Sequence, residues 1–336
     1  TPVIIPFEFK YSPVKKLALV NFEKNPDSLY NALELQYLDD KVYGEGYRVI
    51  AYRCDGFVDV YDDIALKHNA DEDFNVAGKG LGEKNKVLFK DTVFEIENGN
   101  LSLSFSFIDK ERREIAVKIL EKTSKTTKNI DLLAPVGYSS ENPSFLPLYF
   151  LYDFDFVRKA KTDVEITIGG KKIAPDSFPV PVPKDFQYRF YARYTTNCLM
   201  VEMANASNTL LKEHLIPDEN IIVYNSTEYH YSGDILMKME LNYPYHFLSL
   251  EFENGFPNMK TMYDGEIYTD KFKIIPGGEV GFISGTYSLA RNGDNIRLEL
   301  SPSDGWSPVT KSLLTKMMLG KKSIFRIWPK TYRYVQ

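Results

Sequence analysis

Two aspartates, Asp153 and Asp155, stand two residues apart in the run YFLYDFDFVR. Side chains alternate between the two faces of a β-strand, so a strand here would place both carboxylates on one face, with backbones about 6.6 Å apart. Paired carboxylates that flank a glycosidic bond are the usual machinery of sugar hydrolysis. We therefore predict Asp153 and Asp155 as catalytic candidates. Because such pairs generally come from facing elements rather than from one strand, carbohydrate chemistry is held as an alternative function.

A second polar group lies in the run FQYRFYARYT at residues 186–195. Strand alternation places Arg189, Tyr191 and Arg193 on one face and aromatic residues on the other. Arginines beside a buried carboxylate hold it ionised, and the group could bind a polar ligand head or relay a proton. We predict these three residues as ligand-binding candidates. The competing interpretation is a solvated outer face of a half-exposed antiparallel sheet.

Two histidines lie among tyrosines, which makes them further ligand-binding candidates. His230 stands between Tyr229 and Tyr231, and His246 follows Tyr243-Pro244-Tyr245. Histidine serves as a general base, a metal ligand or a hydrogen-bonded packing residue. We predict His230 and His246 as ligand-binding candidates, with a packing role as the alternative.

The remaining motifs argue against the common cofactors. Gly78, Gly80 and Gly82 match neither the phosphate-binding loop nor the dinucleotide-binding loop, so a flexible turn is the better interpretation. Cys54 and Cys198 lack the paired spacing of structural zinc sites and are expected to be free thiols. The sequence therefore predicts no cofactor and no metal.

The elements that must position these residues are strands. The mid-chain stretch Phe145 to Lys172 is predicted to form two strands closed by Gly169-Gly170, with aromatic residues on the core face. Asn-Gly between alternating runs is a strong hairpin signal, and it occurs at 98–99, 254–255 and 292–293. These signals predict an antiparallel, all-β protein.

One helix is predicted near the end of the chain, from Pro308 to Leu319. Ser307 suits the N-cap, Pro308 the first helical position and Gly320 the position after the end, and apolar residues recur at helical spacing. A closing strand, Ser323 to Trp328, is predicted after it. The second half of the chain is thus predicted to contain many strands, then one amphipathic helix and then one strand.

Length and composition bound the organisation of the chain. At 336 residues it exceeds the usual size of a single core, and the proline-rich run APDSFPVPVPK predicts a boundary between domains 1–175 and 176–336. Lysine and arginine total 41 against 46 acidic residues, without the concentrated basic patch that nucleic-acid binding needs. No apolar run reaches the roughly 18 residues of a membrane helix.

The sequence does not determine the compartment or the oligomeric state. The chain begins at Thr1 rather than Met, which is compatible with removal of an initiator segment, a tag or a signal peptide. A cytoplasmic location is slightly favoured over the others.

The tandem β pattern, the run YDFDFVRKAKTDVEITIGGKKI and the helix-then-strand ending resemble the two-domain lipocalin-like proteins, which include the carotenoid hydratases of the hydroxyneurosporene synthase family and the AttH-like proteins. The Gly-x-Trp signature of ordinary lipocalins is absent near the start. The resemblance implies two antiparallel β-barrels and an apolar cavity for a polyene, terpenoid or polyketide-like ligand. In enzymatic members it implies acid-assisted hydration or cyclisation. No family residue matches closely enough to transfer a catalytic role.

Three functions follow from these observations. The leading one is binding of an apolar small molecule, with catalysis of its hydration, isomerisation or cyclisation as an open extension; an enzyme of this kind would be a lyase or an isomerase. The second is a carbohydrate-active protein that uses Asp153 and Asp155. The third is a non-catalytic interaction module.

Overall fold

The structure is a computed structural model that describes residues 1–67, 79–124, 128–134, 146–179, 188–204, 212–243, 246–309, 313–319 and 334–335. The first part of the chain contains strands β1 (Pro2–Ile4), β2 (Glu8–Ser12), β3 (Val14–Asn21), β4 (Tyr30–Asp40), β5 (Gly44–Arg53), β6 (Val58–Asp63), β7 (Leu81–Val87), β8 (Lys90–Glu97), β9 (Asn100–Ile108), β10 (Glu114–Glu121), β11 (Ile130–Leu133) and β12 (Leu146–Arg158).

The rest of the chain adds β13 (Thr162–Ile168), β14 (Lys171–Ile173), β15 (Arg189–Thr195), β16 (Asn197–Ala204), β17 (Glu213–Leu215), β18 (Ile221–Tyr224), β19 (Thr227–Ser232), β20 (Ile235–Leu241), β21 (Leu248–Phe256), β22 (Ile267–Pro276), β23 (Phe282–Asn292), β24 (Asn295–Ser307), helix α1 (Leu313–Leu319) and β25 (Tyr334–Val335). The predicted all-β class is confirmed.

The chain divides into two compact units that interleave along the sequence. Unit 1 contains Thr1–Ser12, Asp131–Phe150 and Leu199–Gln336, and unit 2 contains Pro13–Ile130 and Leu151–Cys198. The sequence-based division instead cuts the chain once, near residue 175. The division into domains 1–175 and 176–336 concerns which segments fold independently, and it stays a prediction.

Unit 2 is a sandwich of two sheets. One is a five-stranded sheet in the order β14-β13-β10-β9-β8. The other, called here the large sheet of unit 2, has the order β12-β15-β3-β4-β5-β6-β7, to which β12 contributes its part from Leu151 onward. All these pairings are antiparallel except β6 with β7, which is parallel. The alternating serines and apolar residues of β9 suit this arrangement, because one face is buried and the other is not.

The core of unit 2 fills the space between these two sheets. Tyr61 of the large sheet packs on Phe107 of β9 with ring centroids 4.8 Å apart, and Phe89 packs on Phe107 at 5.4 Å. Aromatic pairs at such separations add to the stabilisation from area burial. The other buried residues of this core include Ala18, Val20, Leu33, Leu35, Val49, Ala51, Leu101, Leu103, Phe105, Ile115, Val117, Ile119, Ile166 and Ile168.

Unit 1 is built on an eight-stranded antiparallel sheet, β18 to β25, whose neighbours follow sequence order. Tyr287 on β23 packs between Phe252 and Phe256, each with ring centroids 5.2 Å away. The Tyr287 hydroxyl donates to the carbonyl of Gly255 at 2.6 Å, which satisfies a polar group inside an apolar core. The N-terminal segment joins this unit, where the Tyr229 hydroxyl donates to the carbonyl of Phe7.

The predicted barrels are not observed. Each sheet formed by the described strands has two free ends in its strand order, so none of these sheets closes on itself. Asn-Gly turns and alternation specify antiparallel neighbours, but closure also requires a matching tilt and stagger of the strands. The prediction was therefore right about strand type and wrong about barrel closure for this part of the chain.

Only one of the three Asn-Gly pairs forms the predicted turn. Asn98 and Gly99 both have positive φ and connect β8 to β9. At the second pair the turn is shifted by one residue, because Asn292 still pairs with Asn295. The third pair lies inside β21, where Gly255 at φ +87° accompanies a register shift against β20. A positive-φ glycine serves a bulge as well as a turn, which is why the motif alone did not distinguish them.

Three further predictions change at their boundaries. Gly169-Gly170 closes β13 onto β14, whereas β12 pairs with β15 instead of β13. Residues 81–86 belong to a stretch, 67–86, that was predicted as a polar loop, but they form most of β7, because backbone pairing with β6 compensates for their polar side chains. Ser307 ends β24 rather than capping a helix, and α1 begins at Leu313. The predicted strand Ser323 to Trp328 lies outside the described residues.

Within the described part of the chain, α1 is the one helix, and no helix there has the length and apolar character needed to cross a membrane.

Candidate functional site

Asp153 and Asp155 do not form a matched pair. Asp153 adopts φ +53° and is exposed, whereas Asp155 is buried. A left-handed residue interrupts the two-residue alternation of a strand, so the neighbours Phe154 and Asp155 are both buried. The expected shared face of the two carboxylates is therefore broken at Asp153.

Asp155 is instead a buried carboxylate that lies next to a half-buried arginine of unit 2. Its Oδ1 lies 3.5 Å from Nη2 of Arg189, so the structure brings two of the predicted site residues together. Burial raises the pKa of the nearby Tyr194 hydroxyl, and the charges of Glu121 and Asp155 raise it further. Nη1 of Arg189 is buried without a hydrogen-bond partner among the described residues.

Tyr191 and Arg193 lie in contact on β15. The Arg193 guanidinium is 5.4 Å from the centre of the Tyr191 ring, and its Nη1 lies 3.4 Å from Oδ1 of Asn21. Tyr191 also meets Phe178 edge to face, with ring centroids 6.2 Å apart. Arg193 is half-buried, and its ligand-binding role stays a prediction.

The pairing register places Arg193 in one row with a carboxylate that the sequence did not single out. Arg193 pairs with Leu19, Leu19 with Glu34, and Glu34 with Ile50. Residues directly opposite on neighbouring strands point to the same side of a sheet. These four side chains therefore share the face of the large sheet that is turned away from the sandwich core. We call this the Glu34 face.

Glu34 is half-buried and held by two polar neighbours on the same face. Gln36 Nε2 donates to Oε1 at 2.7 Å, and the Tyr52 hydroxyl donates to Oε2 at 3.4 Å. Burial raises the pKa of this carboxyl above its usual value, and the effects of the Gln36 bond, the Arg193 charge and the Tyr52 bond do not cancel the increase. Desolvation disfavours the charged form of an acid, so Glu34 retains a proton at a higher pH than an exposed glutamate.

Glu34 also has apolar neighbours on this face. Leu17, Leu19 and Ile50 are buried beside it, and the Cys198 thiol is near enough for the Glu34 charge to act on it. Burial raises the pKa of that thiol, so Cys198 remains uncharged. A carboxyl with a raised pKa in an apolar wall can donate a proton to a weakly basic group and take one back.

The same face also carries a closed ion pair, which we interpret as structural. Arg48 Nε and Nη2 lie 2.5 and 3.2 Å from the two oxygens of Asp62, and Lys84 Nζ lies 3.8 Å from Oδ2. Asp62 is completely buried and its charge is matched by these cations. A bidentate pair of this type satisfies both partners and leaves little capacity for a ligand.

The two candidate histidines lie in different surroundings within unit 1. His230 is on β19, and its Nε2 lies 3.6 Å from Oε2 of Glu228 and 3.1 Å from Oε2 of Glu240. His246 precedes β21 and stacks on Tyr243 with ring centroids 6.1 Å apart. No contact between the two histidines is present among the described residues, so they do not form a common site there.

Glu34 was missed because the run ALELQY alternates polar and apolar residues, which is typical of a strand with one solvated face. The neighbouring strand carried the signal that could have revealed it. Its run LALV is apolar at successive positions, as expected of a strand buried on both faces. Polar residues paired with such a strand are themselves brought into a buried environment.

Comparison of the chain with protein-family models, with curated proteins and with solved structures found no match.

Proposed function

We propose that unit 2 binds an apolar small molecule on the Glu34 face and that Glu34 acts as an acid and base toward it. The observation that carries this proposal is the half-buried Glu34 carboxyl, whose pKa is raised by burial beside Leu19 and Ile50. Tyr52 and Gln36 orient the two carboxyl oxygens. An unsaturated apolar ligand would meet the protonated Glu34 beside the apolar side chains of Leu19 and Ile50.

The simplest reaction for this arrangement is movement of a double bond. Glu34 gives its proton to one alkene carbon, and the resulting carboxylate removes a proton from a carbon next to the cation. Atoms and charge balance without a co-reactant, so the class would be an isomerase. Hydration and cyclisation start with the same protonation and then add water or an internal double bond. General acid and base steps of this kind typically contribute a hundredfold or more, about 10²–10⁴.

The proposed ligand class, a polyene, terpenoid or polyketide-like molecule, comes from the resemblance to two-domain lipocalin-like proteins, which itself stays a proposal. The carbohydrate alternative required a matched carboxylate pair. Asp153 is exposed and Asp155 is occupied by Arg189, so no specific observation favours that alternative.

The test is binding of the neutral fluorophore N-phenyl-1-naphthylamine as a function of pH. For the wild-type protein we expect affinity to fall as pH rises, because an ionised Glu34 must be desolvated when an apolar molecule covers it. Glu34→Gln should bind at least as well as wild type, without this pH dependence. Mass spectrometry of an organic extract of the purified protein would identify any natural ligand.

Glu165→Gln provides the matched control, because Glu165 is exposed on β13 of the same unit. It should keep the wild-type pH profile. Identical profiles in wild type and Glu34→Gln would overturn the role of Glu34. Absence of probe binding at every pH would overturn the binding function and favour an interaction module.

A further inference from the structure

Three potential metal ligands meet on two neighbouring strands of unit 1. Glu228 and His230 are two residues apart on β19 and share a face, and Glu240 on β20 lies directly opposite Glu228. All three side chains are half-buried. Their donor atoms, one from each residue, lie within 4.8 Å of one another.

The separations between these donor atoms match the edges of a metal coordination polyhedron. Nε2 of His230 is 3.1 Å from Oε2 of Glu240 and 3.6 Å from Oε2 of Glu228. A tetrahedral Zn²⁺ with bonds of about 2.0–2.1 Å separates its ligand atoms by about 3.3–3.4 Å. These two distances bracket that value, and the third separation, between the Glu228 and Glu240 oxygens, is within 4.8 Å.

The imidazole nitrogen at the centre of this group makes no hydrogen bond to the described residues. Nε2 of His230 is buried and has no hydrogen-bond partner among the described residues, although a carboxylate oxygen lies within 3.1 Å. The short distance thus lacks the alignment of an N–H···O bond. A buried nitrogen that faces two carboxylates without such a bond is arranged as a ligand for a cation.

Charge on this face also favours a cation. Two carboxylates directly opposite on neighbouring strands repel each other. Lys238 pairs with His230 across the strands, and its Nζ donates to Oε1 of Glu240 at 2.7 Å. The other oxygen of Glu240, Oε2, lies 3.1 Å from Nε2 of His230. Lys238 thereby orients a ligand without entering the site, as second-layer residues of metal sites do.

We propose that Glu228, His230 and Glu240 form a site for one divalent transition-metal ion, with Zn²⁺ the best match. One imidazole and two carboxylates suit Zn²⁺ better than Ca²⁺ or Mg²⁺, which prefer oxygen ligands only. Three protein ligands leave a fourth position open to water or to an oxygen of a bound molecule. The site is independent of Glu34 and of the function proposed for unit 2.

The test is isothermal titration calorimetry of the chelator-treated full chain with ZnCl₂, together with the visible absorption of the Co²⁺-substituted protein. We expect one ion per chain and the intense absorption of four-coordinate Co²⁺. His230→Gln and Glu240→Gln should each weaken Zn²⁺ binding by about 100-fold or more, since loss of a ligand exceeds the 10- to 100-fold effect of losing an outer partner. Zinc should raise the Tm of wild type and not that of His230→Gln.

Two controls separate this site from incidental binding. His246→Gln removes a histidine of the same unit outside the cluster, and Cys54→Ser removes an exposed thiol. Both should bind Zn²⁺ as wild type does. The proposal is overturned if wild type takes up no Zn²⁺, or if His230→Gln binds it with wild-type affinity.

Discussion

Arg158 and Glu121 form a bidentate ion pair inside unit 2, with Nη2 2.6 Å from Oε2 and Nε 3.1 Å from Oε1. The carboxylate also accepts the backbone N–H groups of Arg158 and Leu101, at 2.8 and 2.9 Å. Both oxygens are thereby satisfied, and Nη2 also donates to the carbonyl of Gly99 in the β8–β9 turn. The pair therefore links β10, which carries Glu121, to β12, which carries Arg158, and to the β8–β9 turn.

Removal of this carboxylate should be costly. Glu121→Gln leaves the Arg158 guanidinium buried without its counter-charge, and we expect a loss of about 3–5 kcal/mol in the free energy of unfolding. Urea denaturation measures it. Asp163→Asn breaks the exposed pair between Asp163 and Lys122 and should leave the melting temperature essentially unchanged. A similar small effect for Glu121→Gln would contradict the structural role of the pair.

Asp59 is a second buried acceptor. It is fully buried, and it lies 2.9 Å from Lys110 Nζ, 3.3 Å from Arg53 Nη1 and 3.2 Å from the Tyr30 hydroxyl. Asp59→Ala should reduce the free energy of unfolding by about 3 kcal/mol or more, because two cations and a hydroxyl lose their acceptor. Chemical denaturation tests this.

Asp55→Ala is the control for that experiment. Asp55 binds the same Arg53 guanidinium but is exposed. Its loss should barely change the denaturation midpoint, since exposed ion pairs contribute little. Equal effects of the two substitutions would show that burial of Asp59 is not what makes it important.

Glu34 should make stability depend on pH. Its pKa in the folded protein is raised, so between its unfolded and folded values the native state binds more protons than the unfolded state. Stability from this group is therefore fully present below the unfolded pKa and falls as pH rises through the folded pKa. Glu34→Gln should flatten this decrease in thermal unfolding scans taken at rising pH, starting below the usual pKa of a glutamate. A decrease of unchanged size in the variant would contradict the raised pKa.

Gly285 permits a close approach of two strands in unit 1. β23 and β24 change register between Ser284 and Thr286, and a Cβ at Gly285 would overlap the carbonyl oxygen of Ser301. Gly285→Ala should therefore cost about 2 kcal/mol or more, because backbone atoms must shift. Ser288→Ala, at a half-buried position of the same strand, should change stability by less than about 0.5 kcal/mol. Thermal denaturation of both variants provides the comparison.

The amino-acid sequence by itself determined the all-β class and much of the strand pattern. The alternating serines and apolar residues of β9 and the Asn98-Gly99 turn are local signals, and local backbone preferences suffice to produce them. The contact between Asp155 and Arg189 also agrees with a sequence-based pairing of carboxylates and arginines. Strand alternation failed at Asp153, where a left-handed residue changed which side chains are buried.

Tertiary structure decided what surrounds each polar side chain. Glu34 belongs to a run that is typical of a half-solvated strand, and it is half-buried in the folded protein, where it lies opposite Leu19 of β3. Glu240 joins Glu228 and His230 only through the register of β19 with β20, which no local pattern encodes. Sheet closure, register and burial depend on contacts between distant segments of the chain. Those contacts, and not the local strand pattern, decide which side chains come together in a site.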